Sequence, residues 1–209
     1  MSLYPLGKAP SGAPLASATT APSGAWSLST SQVPGSYLLQ IVPADANHAT
    51  LHQSVSLVAG SDVVVAKQLT VLSSTEQQCI TLFNQQRATL GVGALTTDNA
   101  AMIAARAEAQ AIATWAPTDV WPNITAPPSV TPSSYMANGG ISSASVTGDD
   151  YDSGANGCAM VMSNIFGSSD EWYPENSGAN STWIGFGVAS DVVGGFPGYE
   201  WAAAVVTYP

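Results

Sequence analysis

Charge is what this chain has least of. Asp, Glu, Lys and Arg together supply 9% of its 209 residues. Its polar surface must therefore be built mainly from Ser, Thr, Asn, Gln and Gly. Basic residues are scarcest: Lys8, Lys67, Arg87 and Arg106 stand against fourteen acids, for a net charge of −10. With no basic cluster to meet a phosphate backbone, nucleic acid and anionic membrane surfaces are excluded as favoured partners. No apolar run approaches the ~20 residues of a membrane span, so no transmembrane segment is expected. Histidine is confined to His48 and His52, which leaves little imidazole for metal ligation or proton transfer near neutral pH. No export signal is visible at Met1. The low-charge, Ser/Thr/Ala-rich composition nonetheless fits an extracytoplasmic bacterial protein (secreted, periplasmic or surface-anchored) trimmed of its signal. Cysteine is limited to Cys79 and Cys158. An exported chain could bridge them, and two buried thiols are the other reading.

What is present argues for real cores. Hydrophobic residues make up 45% of the chain and six are Trp, far from a disordered composition. The length allows one large or two small domains. Two grammars divide it. Over residues 1–72, turn signals recur at intervals near ten residues, and short strands are expected at Leu3–Leu6, Leu15–Thr20, Ala25–Ser29, Ser36–Val42, Thr50–Val58 and Val63–Val71. From Ser73 the pattern becomes helical. Ser73-Ser74-Thr75-Glu76 reads as a capping box. Cys79, Leu82, Phe83, Gln86 and Leu90 follow at helical spacing, and Gly91 suits the left-handed C′ position. Asp98 is the expected N-cap of a second helix whose buried face is Met102, Ala105, Ala109, Ile112 and Ala113. Eight of residues 100–113 are Ala, so this helix can approach a neighbour closely. Residues 115–157 show little periodicity, which in a compact domain tends to mark function or mobility. A short helix over Cys158–Phe166 and strands over Thr182–Ala189 and Tyr199–Tyr208 complete the pattern.

Both halves resemble known families. Gly12-Ala13-Pro14-Leu15-Ala16-Ser17-Ala18-Thr19-Thr20, Ser23-Gly24-Ala25-Trp26-Ser27-Leu28 and Pro34-Gly35-Ser36-Tyr37-Leu38-Leu39 are similar to the carboxypeptidase regulatory-like module. That likeness implies a transthyretin-like sandwich serving as spacer or adhesive stalk. Family members usually begin with one more strand, so an edge is expected to lie exposed or differently paired. Further on, Asn84-x-x-Arg87-x-x-x-Gly91-x-x-x-Leu95, then Asp98 and the Ala-rich helix, resemble the CAP (SCP-like) domain of cysteine-rich secretory, antigen 5 and pathogenesis-related proteins. Ile184–Ala189 and Glu200–Val205 match its closing strands. This resemblance covers roughly residues 75–209 and implies an α/β/α sandwich.

The chemistry of that family does not carry over. Its tetrad of two His and two Glu has no counterpart: both histidines precede the CAP-like region, and Asn138-Gly139-Gly140-Ile141 puts Gly where the family has Glu. No metal or cofactor is expected. A Ser-His-Asp mechanism would have to borrow His48 or His52, and both are read as surface histidines beside a turn. Glu171 and Glu175, with Asp170 beside Trp172 and Tyr173, could form a glycosidase-like corner, though a solvated acidic loop is the plainer reading. Asp149–Gly157 only faintly resembles a calcium loop and reads better as Asx turns.

The expected architecture is therefore two domains: an N-terminal all-β sandwich over 1–72 and a C-terminal α/β/α CAP-like sandwich over 73–209. The expected function is binding or interaction at the bacterial cell envelope, with carbohydrate, lipid or protein as partner. Its cleft would be lined by Trp115, Trp121, Tyr135, Glu108, Glu171, Trp172 and Glu175. No catalytic residue is assigned. The alternatives are a cell-wall glycan or peptide hydrolase using Glu108, Glu171 or Glu175, and a structural stalk-and-cap of a surface assembly.

Overall fold

The computed structural model describes residues 1–6, 12–21, 23, 25–63, 65, 68–115, 146–147, 166, 183–190 and 200–207. In the first half, β1 (Ser2–Pro5), β2 (Ala16–Ser17), β3 (Gly35–Ile41) and β4 (Leu51–Leu57) form one antiparallel sheet in the order β2-β1-β3-β4. Side chains alternate across it. Leu3, Tyr37, Leu39 and Val55 form a buried cluster on one face, with Trp26, Leu28, Ile41, Leu57 and Val65 packed against it. The layer covering that face differs from expectation. Residues 25–33 and the described part of 58–70 lie outside any strand. They cover the sheet through side-chain packing, and no second ladder forms among the described residues.

The second half combines α1 (Ser74–Thr89), β5 (Thr96–Thr97), α2 (Asn99–Trp115), β6 (Val146–Thr147), β7 (Trp183–Ser190) and β8 (Glu200–Thr207), with sheet order β5-β7-β8-β6. β5 runs parallel to β7, whereas β7–β8 and β8–β6 are antiparallel. The capping box forms: the Glu76 N–H donates to Ser73 Oγ at 3.2 Å, and the Ser73 N–H donates to Glu76 Oε2 at 2.7 Å. Cys79, Ile80, Phe83 and Arg87 then fall on the buried face of α1. Gly91, at φ 74°, takes the left-handed position beyond the helix end. The region 158–165, expected to begin a further helix, lies outside the described residues, as does most of the irregular stretch 115–157.

Why α2 is so rich in Ala is answered by β7. A Cβ added to Gly185 would lie 2.0 Å from the Ala101 carbonyl carbon, and one on Gly187 would lie 2.2 Å from the Ala105 carbonyl oxygen. Helix backbone thus rests directly on strand backbone, with Ala101, Ala104, Ala105 and Ala109 fully buried. Ile184 and Phe186, the alternate residues of β7, join Cys79, Phe83, Leu95 and Met102 in the main apolar cluster.

Cys79 is disulfide-bonded and 1% exposed. The other cysteine of the chain, Cys158, lies outside the described residues.

Two outcomes follow. Gly185→Ala is expected to cost at least about 3 kcal/mol or prevent folding, because the helix backbone must move away. Gly35→Ala, whose Cβ would meet nothing closer than 3.8 Å, should melt within a few degrees of wild type; circular dichroism melts check both. Protein unfolded without reductant should show no thiol reactive to iodoacetamide. A bridge joining the chain's two cysteines closes a loop of roughly 80 residues, worth about 4.5 kcal/mol by chain entropy, so reduction should lower the melting temperature markedly.

Candidate functional site: a buried polar junction between the halves

The two halves meet along a short three-stranded seam. Residues 47–50 run between 70–72 on one side and Thr97–Asp98 on the other. The bridges are His48–Val71, antiparallel, and Thr50–Asp98, parallel. Backbone bonds run from Ala49 N to Thr70 O, Leu72 N to Asn47 O, Thr50 N to Thr97 O and Asn99 N to Thr50 O, all between 2.8 and 2.9 Å. Asn99 Oδ1 also accepts from the Thr70 backbone N–H. Ala49 and Leu72 enter the same apolar cluster as Cys79, Phe83 and Ile184.

At the centre of the seam lies a fully buried pair. His52 Nδ1 is 2.6 Å from Asp98 Oδ2, and neither side chain is exposed. Gln40, directly opposite His52 in the β3–β4 register, places its Nε2 3.0 Å from His52 Nε2. An amide N–H can only donate, so His52 Nε2 accepts and the ring proton sits on Nδ1, pointing at Asp98. Trp183 closes the pocket with its ring 4.4 Å from the imidazole. The second oxygen of Asp98, Oδ1, accepts the Ala100 and Ala101 N–H groups at 2.8 and 3.0 Å and caps α2.

His52 is therefore not a surface histidine, contrary to the expectation. β4 carries Leu51, Val55 and Leu57 at odd positions, which makes the even positions look solvent-facing. The second half covers that face at His52. His48 does stay partly exposed, bonding Asp45 Oδ1 at 2.8 Å across a turn; this hydrogen bond, with a second from Asn47, holds the Asp45 carboxyl below 3.8. The His52–Asp98 pair has the make-up of a catalytic dyad, but Gln40 occupies the nitrogen that would take a proton from a nucleophile, and no solvent reaches it. Its chemistry is that of a lock.

A second tie reinforces the first. Arg106 on α2 donates from Nε to Glu76 Oε1 at 2.6 Å, and from an Nη to Glu76 Oε2 at 2.7 Å and to the Val71 carbonyl at 2.6 Å. The hydrogen bonds to the Glu76 carboxylate raise the Arg106 pKa above its ordinary value. One carboxylate thus caps α1, pairs with α2 and, through Arg106, holds the connection between the halves.

The Asn84-x-x-Arg87 motif has a local role. Asn84 exchanges both amide bonds with the Leu95 backbone, at 2.8 and 3.1 Å, and Arg87 Nε donates to the Gly93 carbonyl at 2.8 Å. These bonds staple the 91–95 loop onto α1 and so set the entry to β5. Arg87 is fully buried in doing so.

Of the residues expected to line a cleft, Glu108 lies on α2 at 1% exposure. Trp115 ends α2, its side chain outside the described set. Trp121, Tyr135, Glu171, Trp172 and Glu175 lie outside the described residues, as does Asp149–Gly157. Among the described residues, no cluster of three or more His, Cys, Asp or Glu could hold a metal ion, and no helix is long and apolar enough to cross a membrane.

The fold class defined by these elements is mixed: an antiparallel sheet joined to an α/β unit. No known protein family matches the chain, and no curated protein or solved structure is significantly similar to it.

The lock makes a direct prediction. His52→Ala leaves Asp98 buried with one oxygen unpaired and opens a gap against Trp183, so it should cost about 3 kcal/mol. His48→Ala should melt as wild type. Denaturant titration of the three proteins separates these outcomes.

Proposed function

We propose that this protein is an extracytoplasmic binding or interaction protein of the bacterial cell envelope. Its second half would be a divergent CAP-like scaffold without the family's His/Glu tetrad, and its first half a β module of the carboxypeptidase regulatory type. The observation that carries the reading is an open groove of about 920 Å³ over the covered face of the first sheet. It is walled by Trp26 and Leu28 and floored by Leu39, Val55 and Leu57. A concave surface that combines apolar side chains with polar groups is the usual form of a ligand site.

The buried seam favours one further reading, a stalk-and-cap within a surface assembly. Two modules locked by paired buried groups transmit force and orientation better than two on a flexible linker. In both readings the His52–Asp98 and Glu76–Arg106 pairs are structural.

The test is a thermal-shift panel on the full chain with cell-wall glycan fragments, a neutral amphiphile and extended apolar peptides. One class is expected to raise the melting temperature, since ligand at a hundred times its Kd adds about 2.7 kcal/mol. A panel with no shift would favour the stalk-and-cap.

A further inference from the structure

We propose that the groove of the first half takes an extended peptide strand from a partner protein, carrying apolar residues at alternate positions and pairing its backbone with residues 26–33. The proposal rests on the binding reading above and names the partner class for it.

The segment itself supplies the first argument. From Ala25 to Val33 burial alternates without a break: Ala25, Ser27, Ser29, Ser31 and Val33 are exposed, and Trp26, Leu28, Thr30 and Gln32 are half-buried. That period of two belongs to a strand. Yet residues 25–33 lie in no strand or bridge. Among the described residues, their backbone-to-backbone bonding is limited to the Ala25 carbonyl, which accepts from Ala21 N. Within 26–33, side chains take two backbone groups, the Gln32 N–H donating to Thr30 Oγ1 at 3.2 Å and the Val33 carbonyl accepting from the Tyr37 hydroxyl at 2.8 Å; an extended segment whose other N–H and C=O groups have no ladder is a template for another chain.

The groove supplies the second. It opens beside this segment, and Val63 and Val65 also line it. Two rim valines, Val58 and Val63, are 60% and 40% exposed, and neighbouring Val33 is 73% exposed. Apolar surface thus gathers beside the groove. At the other end of the sheet the seam covers His52, while Val42 stays 57% exposed.

Charge narrows the occupant. Asp62 is the one charged residue among the described lining, and the whole chain carries −10. An anionic lipid or a second copy of this chain would be repelled, whereas a neutral or basic strand would not. Eight residues of extended chain span about 27 Å, so a partner segment of similar length can pair along 26–33 while alternate side chains enter the groove.

The experiment uses an eight-residue peptide alternating Val and Thr, with a Lys at each end, and a second version of it N-methylated along the backbone. Amide hydrogen exchange on the full chain should slow at least tenfold within 26–33 when the first peptide saturates. The N-methylated version, with the same side chains, should bind at least tenfold more weakly. Ser29→Pro, at an exposed position, should weaken the first peptide equally while melting as wild type. Equal binding of the two peptides, or unchanged exchange in 26–33, overturns strand pairing. A neutral amphiphile that fills the groove where the peptide fails overturns the peptide but leaves a binding protein. No response to peptide, amphiphile or glycan overturns both.

Discussion

Among the described residues, one carboxylate ties the two halves together. Asp98 uses Oδ1 to satisfy two N–H groups at the start of α2, and Oδ2 to hold a histidine that belongs to the other half of the chain. A buried charge is tolerated only where its lone pairs are taken, and here they are taken from two directions. The helix that Asp98 starts lies against β7, and the strand that His52 sits on ends in the seam. Moving the carboxylate would disturb the helix start and the seam together.

The seam is built the same way throughout, with one group serving two partners. Glu76 closes the capping box of α1 and receives the fork of Arg106. Asn99 follows the N-cap of α2 and also accepts from Thr70. A chain with four basic residues has few ion pairs to distribute. Arg106 links the two helices and the segment that joins the halves, and Arg87 staples the loop after α1.

Features governed by neighbours in sequence are legible from the sequence alone. Ser73 and Glu76 are three residues apart, so their capping box depends on nothing distant. Asp98 reads as an N-cap because the helix begins immediately after it. Gly91 ends α1 because only a residue without a side chain takes φ 74° easily. The strand over Thr182–Ala189 is legible in the sequence, and the Ala content of α2 already implied a close neighbour. The Asn84-x-x-Arg87 spacing drew attention as a family mark, and its physical content is a loop clamp reaching eleven residues forward.

What the sequence by itself determined, then, is where helices start and stop and which segments run extended, because capping, turn and periodicity rules act over a few residues. Which faces are covered was decided only by tertiary structure. His52 sits 46 residues from Asp98, on the side of β4 whose pattern signals solvent, and becomes buried because the second half docks there. Residues 25–33 keep the alternation of a strand and lack its partner, since pairing depends on a second chain segment at the right distance. Arg106 and Glu76, 30 residues apart, meet because α1 and α2 both pack against β7. Long-range contacts of this kind leave no local mark on composition or spacing, and in this protein they join the halves into one structure.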